Sequence, residues 1–244
     1  MASTMIRTSA SLRTLNLTRV FCTTACARAP TMWSITKNQA SVTFTWLFGK
    51  LGRFSVMRRP SKPPHDFVVP VGNPILRGQA LAVDNRNIKS KETQEVLDQL
   101  VKVMRKKGAV GLSAPQVGVG LQIIAVECTR KQLDLVPQEI RKIREMQEFP
   151  LKIFINPKLK VTDYSTVVFP EGCESLPGYQ ANVPRYYGVT ITGLDREGKP
   201  VAWQVTGWPA RILQHEVEHL RGDLYIDIMD SRTFIDSSWE RKNF

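Results

Sequence analysis

The chain has 244 residues, 42% of them hydrophobic and 23% charged, with four cysteines and a formal charge of +12. That length allows one domain with a sizeable core and some further sequence, and the average is that of a soluble globular protein rather than a fibrous or disordered one. The charge suggests a nucleic-acid binder, but ten of the 34 basic residues precede Asp66, the first acid, leaving 24 basic against 22 acidic residues; a phosphate-binding groove would need its positive charge on the folded part.

Residues 1–60 are rich in Arg, Ser and Thr and contain no acid. That is the composition of a mitochondrial or plastid transit peptide. A secretory signal would need an unbroken apolar core, which Arg7, Arg13 and Arg19 interrupt. The most apolar stretch, Ser41 to Met57, contains Lys50 and Arg53 and falls short of the roughly 20 apolar residues of a membrane span. Cys22 and Cys26 would leave with the leader. Cys128 and Cys173 are too few for a disulfide scaffold and suit a reducing compartment. The expected division is therefore a leader over residues 1–60 and a folded domain over 61–244.

Pro60, Pro63, Pro64 and Pro70 mark an extended link into that domain. Ser90 to Lys107 reads as a helix, with an apolar stripe at Val96, Leu97, Leu100, Val101, Val103 and Met104, basic residues in its last turn and Gly108 beyond it. A small-residue loop, Ala109 to Gly120, precedes a β-rich run at Leu121–Val126. Pro137–Glu148 is charged and reads as a short surface helix. Lys152–Ile155 and Val167–Phe169 read as strands. Tyr187–Leu194 and Val201–Thr206 form a hairpin across the turn-rich Asp195–Gly198. Pro209 then suits the first helical position of a helix ending at Gly222. Strands followed by a helix, without βαβ alternation, predict an α+β fold.

That last helix carries His215-Glu216-Val217-Glu218-His219, the HExxH pattern. Residues four apart share a helical face, so both imidazoles can reach one metal ion, and Glu216 can point at a water beside it. A third ligand decides the class. Glu240, 21 residues after His219, is one candidate and would make a zinc peptidase; Cys173, in Glu171-Gly172-Cys173-Glu174-Ser175, is the other. A lone cysteine is usually a small core residue, but this one follows a strand and adjoins a glycine. A further segment, Gly108 to Gln116, is a small-residue loop ending in an amide, whose glycines permit close approach of backbone to a ligand.

Together and in this order, Gly111-Leu112-Ser113-Ala114-Pro115-Gln116, Glu171–Ser175 and Gln214–Gly222 resemble the three motifs of the peptide deformylase family, GxGLxAPQ, EGCxS and QHExxHxxG. The likeness extends to Phe154-Ile155-Asn156-Pro157 and Val183-Pro184-Arg185. The surroundings of Glu174 and the run Asp230–Phe234 look like the family's mitochondrial branch. The resemblance implies antiparallel β-sheets packed around a central HExxH helix. It makes Cys173, His215 and His219 the ligands of one divalent ion, usually Fe²⁺, with Zn²⁺, Co²⁺ or Ni²⁺ able to occupy the site. Glu216 becomes the general acid/base, and Gln116 and the backbone N–H of Glu174 the oxyanion donors. Val110, Gly111, Gly172 and Ile212 are expected to border the substrate.

The reaction implied is removal of the formyl group from formylmethionyl peptides, chemistry that suits a water activated by a cation, a carboxylate that moves its proton, and donors for the developing oxyanion. The expected partners are N-formylmethionyl nascent peptides in the mitochondrial matrix, with transient association with the mitochondrial ribosome, no direct nucleic-acid binding and no membrane span. The chain departs from the family pattern at Ala109, where Gly is usual, at Glu218, where Asp is usual, and at Glu174, where bacterial sequences usually have Leu.

Overall fold

The structure is a computed structural model that describes residues 62–239; the expected leader over residues 1–60 and the alternative ligand Glu240 lie outside the described residues. Helix α1 (Lys91–Lys107) opens on Ser90, whose hydroxyl accepts from the Thr93 N–H, and carries Glu92 in its first turn and Arg105, Lys106 and Lys107 in its last, matching the helix dipole. Its buried face, Val96, Leu97, Leu100, Val103 and Met104, packs with Leu112, Ile123, Ala125 and Ile155.

The expected loop Ala109–Gly120 has more order than its composition suggests. Gly111–Ser113 forms strand β1, paired antiparallel with β2 (Ile123–Cys128), and Ala114–Val117 makes a turn of 3₁₀-helix. Residues 111–117 are buried, so their backbone groups need partners, which the sheet and the 3₁₀ turn supply. Two short helices follow, α2 (Arg130–Leu133) and α3 (Gln138–Ile143), the second inside the stretch expected to be helical.

Two strands then dominate. β3 (Phe149–Cys173) and β4 (Leu176–Leu194) form one long antiparallel hairpin. The sequence reading took Lys152–Ile155 and Val167–Phe169 as separate strands; they are parts of β3. Asn156-Pro157 looked like a break because proline donates no ladder bond. Instead Asn156 adopts φ 52, and its side chain binds both the N–H and the carbonyl of Val83 at 2.8 Å. Register shifts there and around Asp163 let the strand continue through its exposed, polar middle. Strand β5 (Pro200–Thr206) completes the expected hairpin with β4, and the short β6 (Ile235–Asp236) pairs with β4 near Tyr179.

The result is one six-stranded antiparallel sheet in the order β1-β2-β3-β4-β5, with β6 on β4, and the class is α+β. Helix α4 (Gly207–Arg221) starts two residues before Pro209. Proline thus falls in the first turn, where an N–H has no helical partner to lose. Ile212, Leu213, Val217 and Leu220 of α4 pack against Ile124, Val126, Val189, Ile191 and Val205. Each such side chain contributes about 1.5–3 kcal/mol by leaving water, so the helix that carries the HExxH pattern is held by the centre of the core.

Candidate metal centre and catalytic cleft

On α4, His215 and His219 are one turn apart, with ring centroids separated by 4.9 Å. Cys173 comes from the end of β3, where the hairpin turns. The Cys173 sulfur and one nitrogen of each imidazole all lie within 4.8 Å of one another, and Sγ is 3.3 Å from His219 Nε2. A thiolate with two imidazoles suits a borderline-soft divalent ion such as iron, zinc, cobalt or nickel. Among the described residues this is the one cluster of His, Cys and acidic side chains so arranged.

The surroundings orient that set. His215 Nδ1 lies 2.6 Å from Glu171 Oε1, which leaves Nε2 for a ligand. Glu171 also pairs with Arg185 and, at 2.9 Å, with Arg211. Burial opposes ionisation of Glu171, but its bonds to His215 and Arg185 outweigh that and hold the carboxyl well below the usual range. Arg185 in turn pairs with Glu218. At His219, burial and the adjacent His215 keep the ring neutral, with a lone pair to donate.

Glu216 stands apart from this network. It is buried, and its Oε2 has no hydrogen-bond partner. Burial raises its pKa to about 7. Gly111 faces it so closely that a Cβ there would come within 2.5 Å of Glu216 Oε1, which accounts for the glycine. Gly172 is constrained similarly, since a Cβ would meet the Tyr179 carbonyl at 3.1 Å. The Gln116 carbonyl oxygen accepts from the N–H and hydroxyl of Ser113 at 3.0 and 3.1 Å. Its amide is thereby turned so that Nε2 faces Cys173 Sγ at 3.5 Å and Ser175 Oγ at 3.2 Å. Burial raises the pKa of Glu174, opposed by the charge of Lys107.

These side chains border one cleft of about 490 Å³. Val110, Gly111, Gly172 and Ile212 line it with Gln116, Cys173, Glu174, His215 and Glu216, while His219 lies beneath at 1% exposure. The structure adds residues to which the sequence reading gave no role. Glu171 and Arg185 lie within the segments quoted above, and a carboxylate two residues before a candidate ligand was their signal. Trp208 and Arg211 also line the cleft, seven and four residues before His215, a spacing that puts them on its helical face. Arg144 reaches the cleft from the segment after α3, and nothing in its local sequence marks it.

A family model described as polypeptide deformylase matches residues 66–234. The chain belongs to the peptide deformylase family. It is 48% identical over 184 residues to the mitochondrial peptide deformylase of Homo sapiens, covering 75% of this chain and 76% of that one. It is 44% identical to the chloroplastic/mitochondrial peptide deformylase 1A of Arabidopsis thaliana, over 68% of this chain and 62% of the relative. Among solved structures, the Met-Ala-Ser-bound class I type b peptide deformylase of Acinetobacter baumannii aligns with TM-score 0.58 at 27% identity, covering 66% of this chain and 96% of that one. The actinonin complex of a Synechococcus elongatus deformylase gives 0.57 at 30% identity, over 72% and 84%. The protein is thus a metal-dependent deformylase of the mitochondrial type, and its reaction is removal of the N-formyl group from formylmethionyl peptides. No helix among the described residues is long and apolar enough to cross a membrane.

Proposed function

We propose that Cys173, His215 and His219 of this deformylase hold one divalent cation, Fe²⁺ in the native enzyme with Zn²⁺, Co²⁺ or Ni²⁺ as substitutes, and that Glu216 moves the protons of the reaction. One observation carries the reading: a thiol and two imidazoles converge within 4.8 Å beside a buried carboxylate with an unbonded oxygen. When bound, the cation supplies Lewis acidity, polarising the formyl oxygen and acidifying water. Glu216 accepts the proton of the attacking water and returns one to the leaving amine, a role matched by a pKa near 7. The Gln116 amide, already turned toward Cys173, and the backbone N–H of Glu174 donate to the oxygen on which charge develops. Val110, Gly111, Gly172 and Ile212 border the substrate, and because a formyl carbon carries only hydrogen, a tight pocket there would exclude the extra methyl of an acetyl group.

The substrates are newly made, mitochondrially encoded proteins, met in the matrix during transient association with the mitochondrial ribosome. Residues 1–60, basic and acid-free, act as the transit peptide, and residues 61–244 form the catalytic domain. The test is an anaerobic assay of purified protein on formyl-Met-Ala-Ser with metal analysis. Cys173→Ala should lose metal and turnover, and Glu240→Ala neither; metal retained without Cys173, or lost without Glu240, would refute the ligand set.

A further inference from the structure

The side-chain amide of Gln116 is buried, so each of its hydrogen-bonding positions needs a partner. Its oxygen accepts from the N–H and the hydroxyl of Ser113, which uses both lone pairs. Its nitrogen carries two hydrogens and has two acceptors, the Ser175 hydroxyl oxygen at 3.2 Å and the Cys173 sulfur at 3.5 Å. The two acceptors hold it unequally, since a cysteine sulfur accepts more weakly than a hydroxyl oxygen. The hydrogen directed at Cys173 is therefore the one that can turn to an oxygen arriving beside the ligand set. The hydrogen on Ser175 is the one that keeps the amide aimed.

Ser175 is itself fixed from several sides. It is buried, its N–H donates to Cys173 Sγ at 3.4 Å, and its carbonyl accepts the N–H of Val71 at 2.7 Å. Two residues before Val71, the N–H of Val69 donates to the Gln116 carbonyl at 2.8 Å. Pro70 stands between these two donors and locks its own φ. One short segment, far from the motifs in sequence, thus ties the main chains of Gln116 and Ser175 at a set spacing. The side-chain bond between them closes that frame.

We propose that Ser175 is a positioning residue for deformylation: its hydroxyl holds one N–H of Gln116 so that the other is presented to the oxygen on which charge develops. A donor stabilises such an oxygen best when it is aimed beforehand and need not reorganise as charge appears. Without the hydroxyl, a buried N–H loses its acceptor, and the amide turns to recover one. The bond from Ser175 to the Cys173 sulfur is made by the main chain and survives any change of side chain, so the ligand set is left as it was. The inference rests on the oxyanion role given to Gln116 above.

The experiment compares full-length, metal-loaded wild type, Ser175→Ala, Gln116→Ala and the double variant on formyl-Met-Ala-Ser. Ser175→Ala should lower kcat on the order of 3- to 10-fold, with KM and metal content unchanged. Gln116→Ala should lower it roughly 10²–10³-fold, and the double variant no further, because a hydroxyl whose partner is gone has nothing to hold. A second full loss in the double variant, or loss of metal in Ser175→Ala, would make Ser175 a packing residue and overturn the proposal. A readout without turnover is the ¹⁵N spectrum of side-chain amides in the zinc-loaded protein, where the Gln116 signals are those missing from Gln116→Ala. Their hydrogens should exchange slowly in wild type and faster in Ser175→Ala; equal rates would also overturn the proposal. Should Ser175→Ala fail to fold, the wild type decides: protected Gln116 hydrogens support the hold, and exchange as fast as that of an exposed glutamine refutes it. Near-normal kcat in Gln116→Ala would refute the oxyanion reading itself, an outcome told apart from failure of the hold by the exchange rates.

Discussion

Glu171 and Glu216 line the same cleft and both are buried, yet they stand in opposite electrostatic states. Glu171, near the end of β3, is surrounded by Arg185, Arg211 and His215 and is held ionised. Glu216, on α4, has an oxygen bonded to nothing and a pKa pushed up to about 7. One residue type stands as a fixed anion that aligns an imidazole and as a carboxyl suited to the proton exchange proposed for it. The environment assigns the roles, since identical groups whose pKa values are driven apart become anchor and acid/base.

The largest expected effect tests the Glu216 side. Glu216→Gln preserves shape but cannot accept a proton, so turnover should fall about 10²–10⁴-fold with metal content unchanged. Wild-type kcat should rise with pH as Glu216 loses its proton, on a limb that a bound cation draws below 7, and the variant should lack that limb. Near-normal turnover in the variant would leave the contrast without functional content.

Glu171→Gln tests the other side. It removes the anion shared by two buried arginines, of which only Arg185 keeps another partner in Glu218, and offers His215 a neutral amide oxygen in place of a carboxylate, so metal affinity should fall about 10–100-fold. Stability should fall too, since removing one partner of a buried ion network costs about 3–5 kcal/mol. The sign of the pH dependence follows from the depressed pKa. The stabilisation by Glu171 is fully present above the unfolded value of about 4.3 and fades as pH falls through the lower folded value. The stability gap between wild type and variant should therefore close in acid; a gap that widened there would show that Glu171 is not held ionised.

The smallest effect concerns Glu174, a third carboxylate in the cleft, half-buried and without an ion pair among the described residues. Its charge is expected to oppose the developing oxyanion and the terminal carboxylate of a short peptide. Glu174→Leu should raise kcat/KM on formyl-Met-Ala-Ser several-fold, as expected of an interaction of roughly 1 kcal/mol, and the gain should shrink at high salt or with an amidated peptide. A fall at constant metal content would mean that Glu174 binds the peptide.

What the sequence revealed divides along the same line. The i, i+4 spacing of His215 and His219 and the apolar positions between them place both rings on one face of a core helix, because helical geometry is local. The stripe of α1 and its Ser90 and Gly108 ends were equally legible. The nearness of Cys173 to that helix was not local information; it came with the order of three motifs. The continuity of β3 was hidden because Asn156-Pro157 mimics a break and the exposed middle of the strand is polar. Arg144 was hidden because its partners, Phe169 and Pro170, lie more than twenty residues away, and no local pattern encodes such a pairing.

The hairpin turn that presents Cys173 joins β3 to β4 at the far end of the longest strand pair of the fold, whereas both histidines belong to a single turn of α4. Cys173 and His219 are 46 positions apart along the chain. An ion shared by them closes a loop of that length, as a disulfide would, and removes from the unbound chain the freedom of one end to wander from the other. With the proposed ligand set, the cation would be a reversible crosslink as well as a reagent. Stripping it should quicken amide exchange at the tip of the hairpin, around residues 171–178, while α1, tied to the sheet by its own apolar face, exchanges as slowly as before.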